Sequence, residues 1–174
     1  AEDCVVSAMN FLDKSAAISW AQSVANDPTA VFLDTETTAL KHGEICDIAI
    51  VGISGTIYFD SLIKPMKPIP DEVTAIHGIT NEDVADAPSW ADVYWRLVGL
   101  LEGSRVVVYN APFDSDVVNE VCRAAGYRDI AFDWQCAMIN FGAYEGTPGR
   151  RLGEFKWHKL SAAAAHFGIE VQGA

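Results

Sequence analysis

Basic side chains are scarce in this 174-residue chain: 12 Lys and Arg stand against 24 Asp and Glu, for a formal net charge of −12. That shortage argues against a protein that grips long duplex DNA with a basic face, because phosphate contacts draw on Lys and Arg. It leaves open an enzyme of nucleic acids, since carboxylates that hold divalent cations invert the local sign of charge. No run of about eighteen apolar residues occurs, so no membrane-spanning helix is expected. The start, Ala1-Glu2-Asp3-Cys4, lacks the basic and apolar regions of a secretory signal, and the first basic residue is Lys14. A cytoplasmic location is therefore expected. Cys4, Cys46, Cys122 and Cys136 are far apart and form no C-x-x-C pair. Buried free thiols in a reducing compartment are expected rather than a zinc site or a disulfide framework. Repeats and low-complexity tracts are also missing.

Half of the residues are hydrophobic, enough for the core of one domain. Residues 1–28 read as a helical lead-in, with Ser15 capping a helix that Asp27-Pro28 stops. Residues 30–36, 45–53 and 56–63 read as strands of an antiparallel meander, the last two joined at Ser54-Gly55 by a two-residue hairpin link. Lys64 to Pro70 is a Pro-rich loop, and a short helix follows around Glu72 to His77. Thr80 with Asp83, and Ser89 with Asp92, fit a capping pattern. Trp90, Val93, Tyr94, Leu97, Val98 and Leu101 then keep helical spacing up to Gly103. A strand is expected over 105–109, a helix over 114–125, a strand and the start of a helix within 130–140, a flexible loop over 146–153 and a last helix over 159–167. Strands first, then helix, strand and helix, indicate an α/β domain with a mixed sheet and helices packed on it.

The first strand carries an anomaly. Side chains alternate along a strand, so Phe32, Asp34 and Glu36 share one face while Val31, Leu33 and Thr35 share the other. Two carboxylates roughly 6–7 Å apart repel by about 2–3 kcal/mol at an effective dielectric near 20. A cation between them would remove that cost. In the helix after the fourth strand, Asp114 falls on the stripe of Val117, Val118, Val121, Cys122 and Ala125 and should face the sheet. Asp114 by itself also fits a helix-start residue that satisfies free backbone N–H groups. Together the three carboxylates make a plausible Mg²⁺ or Mn²⁺ site of hard oxygen ligands.

These segments carry a resemblance. Phe32-Leu33-Asp34-Thr35-Glu36-Thr37-Thr38-Ala39-Leu40, Ala75-Ile76-His77-Gly78-Ile79-Thr80 and Val107-Val108-Tyr109-Asn110-Ala111-Pro112-Phe113-Asp114, in this order and spacing, resemble the DEDD (DnaQ-like, RNase T-like) superfamily of 3′→5′ exonucleases, in its DEDDh branch. The resemblance covers about residues 30–170. The superfamily usually has Gly where this chain has Ala39. Its third motif, a His followed five residues later by an Asp, has no counterpart: Ala163 and Val171 follow His158 and His166 at that distance.

The resemblance implies a ribonuclease H-like mixed sheet, an antiparallel three-strand meander plus parallel strands flanked by helices. It implies an exonuclease domain over 29–174 that lacks its C-terminal motif helix. The implied activity is two-metal hydrolysis of terminal phosphodiesters of single-stranded DNA or RNA, with two Mg²⁺ or Mn²⁺ ions about 4 Å apart. Asp34 would bridge both ions, Glu36 would hold one and help orient water, and Asp114 would complete the site. Thr37, Thr38, Ala39, Leu40 and His77 would meet the terminal nucleotide, and Asn110 and Phe113 would shape its pocket. No general base is expected within the 174 residues, so the chain by itself is expected to be inactive or impaired. Single-stranded 3′ ends are the implied partner, with a DNA polymerase and a second copy of the chain as further candidates. A non-catalytic DEDD-fold binding module and a small-nucleotide phosphohydrolase are the alternative readings. The basic run Arg150, Arg151, Lys156 and Lys159, interleaved with Phe155 and Trp157, suits either single-strand stacking or a solvated loop.

Overall fold

The computed structural model describes residues 2–130, 132–150 and 154–170. The elements in chain order are α1 (Glu2–Ala25), β1 (Ala30–Thr37), β2 (Ile45–Gly52), β3 (Ile57–Leu62), α2 (Asp71–His77), α3 (Trp90–Leu101), β4 (Arg105–Val108), α4 (Ala111–Ala124), β5 (Asp133–Cys136), α5 (Ala137–Glu145) and α6 (Leu160–His166). They form two compact units, one of residues 28–135 and one of residues 1–27 with 136–173.

The first unit holds the sheet, in the order β3-β2-β1-β4-β5. β1 pairs antiparallel with β2 and parallel with β4, so the sheet is mixed, as expected. β1, β2 and β3 form the meander. Their link is wider than expected from Ser54-Gly55: Ile53 to Thr56 close it, with Gly55 N–H donating to the Gly52 carbonyl and Gly55 at φ 82°. Positive φ at the end of a four-residue turn suits Gly, and it accompanies a register shift at Ile50/Val51.

The pleat sorts the side chains of β1 and β2 cleanly. Val31, Leu33, Thr35, Ile48 and Ile50 are buried on one face, while Asp34, Glu36, Asp47 and Ala49 look out from the other. α3 carries its apolar stripe as expected: Trp90, Val93, Tyr94, Leu97, Val98 and Leu101 are all buried. It begins at Ser89, whose backbone N–H and hydroxyl both donate to Asp92. The analogous bonds from Thr80 to Asp83 close a turn instead of opening a helix. α4 starts three residues earlier than expected, because Pro112 is compatible with the first turn, where its missing N–H is not needed. A small core of Cys46, Ile69 and Val84, joined by Leu62, Val73, Ile79 and Ala87, anchors the segment around α2.

In the second unit α1 packs along α5. The helix runs on from Glu2, so Ser15 lies in its interior and caps nothing. Lys14 Nζ sits 4.1 Å from the Tyr144 ring centroid. Part of the loop expected over 146–153 is a ribbon, since Pro148 pairs with Phe155; Arg151, Leu152 and Gly153 lie outside the described residues. Among the described residues no helix is long and apolar enough to cross a membrane, and Cys46 and Cys122 are buried free thiols.

Candidate nuclease site

Parallel pairing decides where the carboxylates meet. Val31 is opposite Val106 and Phe32 opposite Val107, so β1 and β4 end at the same edge of the sheet. α4 leaves β4 at that edge, which brings Asp114 in its first turn to the C-terminal half of β1. Crevices at the carboxyl ends of parallel strands are common ligand sites in α/β sheets.

Asp114 is buried at 5% exposure and accepts a 2.9 Å hydrogen bond from Thr35 Oγ1. It faces the sheet, as its place on the apolar stripe suggests. Its pKa is pushed up to about 7, first by burial, against the lowering bond from Thr35, and further by the charges of Asp34 and Glu36. Asp34 is raised chiefly by desolvation. Glu36 is raised by desolvation and then by Asp34, while His77 pulls it down. Three carboxyl groups are thus each held in an environment that disfavours their charge, and each is electrostatically coupled to another.

Asp47 and Asp60 are two further carboxylates that the linear pattern did not single out. Glu36 lies directly across from Asp47, Asp34 across from Ala49, and Ala49 across from Asp60. Cross-strand partners share a face, so Asp34, Glu36, Asp47 and Asp60 line one side of the meander. Asp47 is raised by desolvation and then by Asp60 and Asp34. The available signal was a polar residue inside the apolar run Ile45 to Ile53.

The neighbouring segments are pinned by polar bonds. Thr38 N–H donates to the Glu44 carbonyl, and Glu44 N–H donates to Thr38 Oγ1, both at 2.9 Å. Thr37 Oγ1 donates to the Ala39 carbonyl at 3.1 Å. Ala39 keeps an ordinary φ, so a position usually filled by Gly accommodates a side chain here. The glycine that this loop requires is Gly43: a Cβ there would lie 2.8 Å from the Ala39 nitrogen and closer still to its carbonyl oxygen. Gly43→Ala is expected to cost about 1–3 kcal/mol in urea denaturation and to displace the loop over 37–44. An unchanged midpoint would show that the loop yields freely.

His77 closes α2, and Gly78 follows at φ 82°. Its Nδ1 accepts the Ile79 N–H at 3.1 Å, so the proton of the neutral ring sits on Nε2, 3.8 Å from Cys46 Sγ. This places His77 beside Glu36 and Asp47. Asn110 is the residue before α4, and Phe113 is half-buried. Ala39, the 84% exposed Leu40 and Phe113 line a cleft of about 200 Å³ between the loop and α4. A larger cavity of about 450 Å³ runs from His42 to Ala125 and touches none of the three carboxylates.

Among the described residues no three His, Cys, Asp or Glu side chains form a ready metal cage. The donor chemistry still fits a hard cation: oxygen ligands only, each with a raised pKa that positive charge would relieve.

Residues 31–174 match the RNase_T exonuclease family. The chain is a member of that family. Its DnaQ-like relatives place it in the DEDD exonuclease superfamily, as its motifs suggested. It is 41% identical over 150 residues to the uncharacterized exonuclease CP81 of Escherichia phage 186, covering 82% of this chain and 77% of that one. It is 33% identical over 179 residues to a DNA polymerase III subunit epsilon-like protein of Rhodobacter capsulatus, covering 96% of this chain but 24% of that longer protein. Exonuclease X, solved in complex with 5′ overhanging duplex DNA, superposes with TM-score 0.59 at 31% identity, over 82% of this chain and 75% of that one. The nuclease domain of 3′hExo, a DEDDh member bound to rAMP, matches at TM-score 0.65 and 17% identity over 83% of this chain and 81% of that one, a likeness of fold. The sheet is therefore ribonuclease H-like.

Proposed function

We propose that this RNase_T-family nuclease removes nucleotides from the 3′ ends of single-stranded DNA or RNA, with Asp34, Glu36 and Asp114 holding two Mg²⁺ or Mn²⁺ ions. The observation that carries this reading is the raised pKa of all three carboxyl groups at one edge of the sheet. In hydrolysis, water oxygen bonds to the terminal phosphorus, the bond from phosphorus to O3′ breaks, and O3′ leaves as a hydroxyl. The metal ions, when bound, would acidify the water and neutralise charge on the leaving oxygen.

The chain's own residues have separate parts. Asp34 and Glu36 present oxygens from the open face of β1, and Thr35 holds Asp114 from the opposite face. Ala39, Leu40 and Phe113 border the cleft in which a terminal base would lie, and Thr37 and Thr38 would meet the terminal nucleotide from the preceding end of β1. Asn110 and His77 would shape and contact the terminal nucleotide, and His77 sets a second polar group beside Glu36. A DNA polymerase is the protein partner we propose, on the strength of the epsilon-like name of the Rhodobacter relative.

The direct test is a time course on a single-stranded 20-mer labelled at its 5′ end, with Mg²⁺, with Mn²⁺ and with EDTA. The label should move down a ladder one nucleotide at a time, only with metal and slowly, as expected of a chain in which no general base is identified. Immediate release of a labelled mononucleotide would reverse the polarity, and cleavage in EDTA would remove the metal mechanism.

A further inference from the structure

One stretch of the chain carries charge opposite to the rest. Between Gly146 and Gly168 the sequence has four of its twelve Lys and Arg residues and a single carboxylate, Glu154, in a chain of net charge −12. The structure shows how this stretch is held. Gly149 N–H donates to the Glu154 carbonyl at 2.7 Å, and Lys156 N–H donates to the Thr147 carbonyl at 2.8 Å. Pro148 and Phe155 thereby pair in a two-stranded ribbon. Its return strand lies on α5, where a Cβ at Gly142 would stand 3.0 Å from the Lys156 carbonyl oxygen and 3.4 Å from Phe155 Cβ. Next, His158 meets the Phe141 ring of α5 edge-on at 5.3 Å.

Anchoring from both sides fixes what points outward. Phe155 and His158 are half-buried, whereas Arg150, Lys156, Trp157 and Lys159 are exposed, Trp157 at 65%. Indoles are usually well buried, and this one stands open to water with ammonium groups one residue before it and two after. Core packing does not explain it. Exposed cations and an exposed aromatic ring on one short segment are the side-chain types that bind single strands, through phosphates and base stacking.

We propose that Arg150, Lys156, Trp157 and Lys159 form a binding surface for single-stranded nucleic acid, built from none of the carboxylate-site residues. A base stacks on Trp157 and the cations meet the adjoining phosphates. This rests on the reading of the chain as a nuclease for single strands. It gives such a nuclease a hold on the strand that its acidic centre, without metal, would repel.

Fluorescence anisotropy with labelled dT20 in EDTA tests the surface without cleavage. Trp157→Ala is expected to weaken binding about tenfold, and Trp157→Phe to restore most of it. The double change Lys156→Ala and Lys159→Ala should reduce the slope of log affinity against log salt by about 1.4, at roughly 0.7 per phosphate contact. Wild-type affinity and slope in these variants would overturn the proposal, as would failure of the wild-type chain to bind dT20. Hydrolysis of the p-nitrophenyl ester of thymidine 5′-phosphate with Mn²⁺ reads the carboxylate site alone. Trp157→Ala should leave that rate unchanged, and a parallel loss would overturn the separation of the two surfaces. No binding of Mn²⁺ by the wild-type chain in calorimetric titration would sink the nuclease reading while the dT20 binding result still decides this one.

Discussion

Asp34→Asn should lower metal-dependent hydrolysis of oligonucleotides by at least about 10³-fold, on the order of 4 kcal/mol of lost transition-state stabilisation, and leave the protein as stable as before or more so. The two effects share a cause. Asp34 is raised by desolvation, so its charge is held against a local penalty. Asn keeps the shape and drops the charge. Most substitutions destabilise a fold, so a rise in Tm alongside the loss of turnover would identify a residue kept for chemistry at the expense of stability. Calorimetric titration with Mn²⁺ should show weakened binding in the same variant. Turnover retained by Asp34→Asn, or a Tm clearly below wild type, would refute this assignment.

The second large effect concerns pH. Asp114 has a pKa of about 7 in the folded chain against an ordinary 3.8. Between those values the folded state holds a proton that the unfolded state has released. Its contribution to stability is therefore complete below about pH 4 and is lost as pH rises through 7. A shift of that size corresponds to about 4 kcal/mol. Asp34, Glu36 and Asp47 are raised as well and act in the same direction. Urea unfolding in EDTA should show the metal-free protein gaining stability as pH falls from 8 to 5. Asp114→Asn, whose amide oxygen can still accept from Thr35, should be more stable at pH 8 and have a flatter profile. Saturating Mg²⁺ or Mn²⁺ should flatten the wild-type profile too. A slope that is flat or of opposite sign in the metal-free wild type would contradict this account.

Much of this site was legible in the linear sequence because two short periodicities reach it. Alternation along β1 placed Asp34 and Glu36 on one face, and helical spacing placed Asp114 on the apolar stripe of α4. The capping pair Ser89 and Asp92 with the spacing from Trp90 to Leu101 located α3. Asp47 and Asp60 were missed because their alignment with Glu36 and Asp34 is set by cross-strand register. That register depends on a turn which the dipeptide Ser54-Gly55 made look two residues shorter than it is. The need for Gly43 was hidden for a similar reason: it arises only when the loop folds back on Ala39. The start of α1 was misplaced because Ser15 suits a helix start by its chemistry, while the helix continues on both sides of it. The pairing of Pro148 with Phe155 goes with a close approach to Gly142, thirteen residues from Phe155.

The pleat of β1 ties two fates together. Asp34 and Glu36 sit on one side, and Leu33 and Thr35, with Asp114 bonded to the latter, on the other. Sliding the strand by one residue would exchange the sides, sending carboxylates into the core and core residues into water. Changes of length in this strand therefore strike folding before they can tune activity. Divergence among related chains at this strand has to proceed by exchanging side chains in place, and a folded but silent relative would be found by a missing acid, not by a gap.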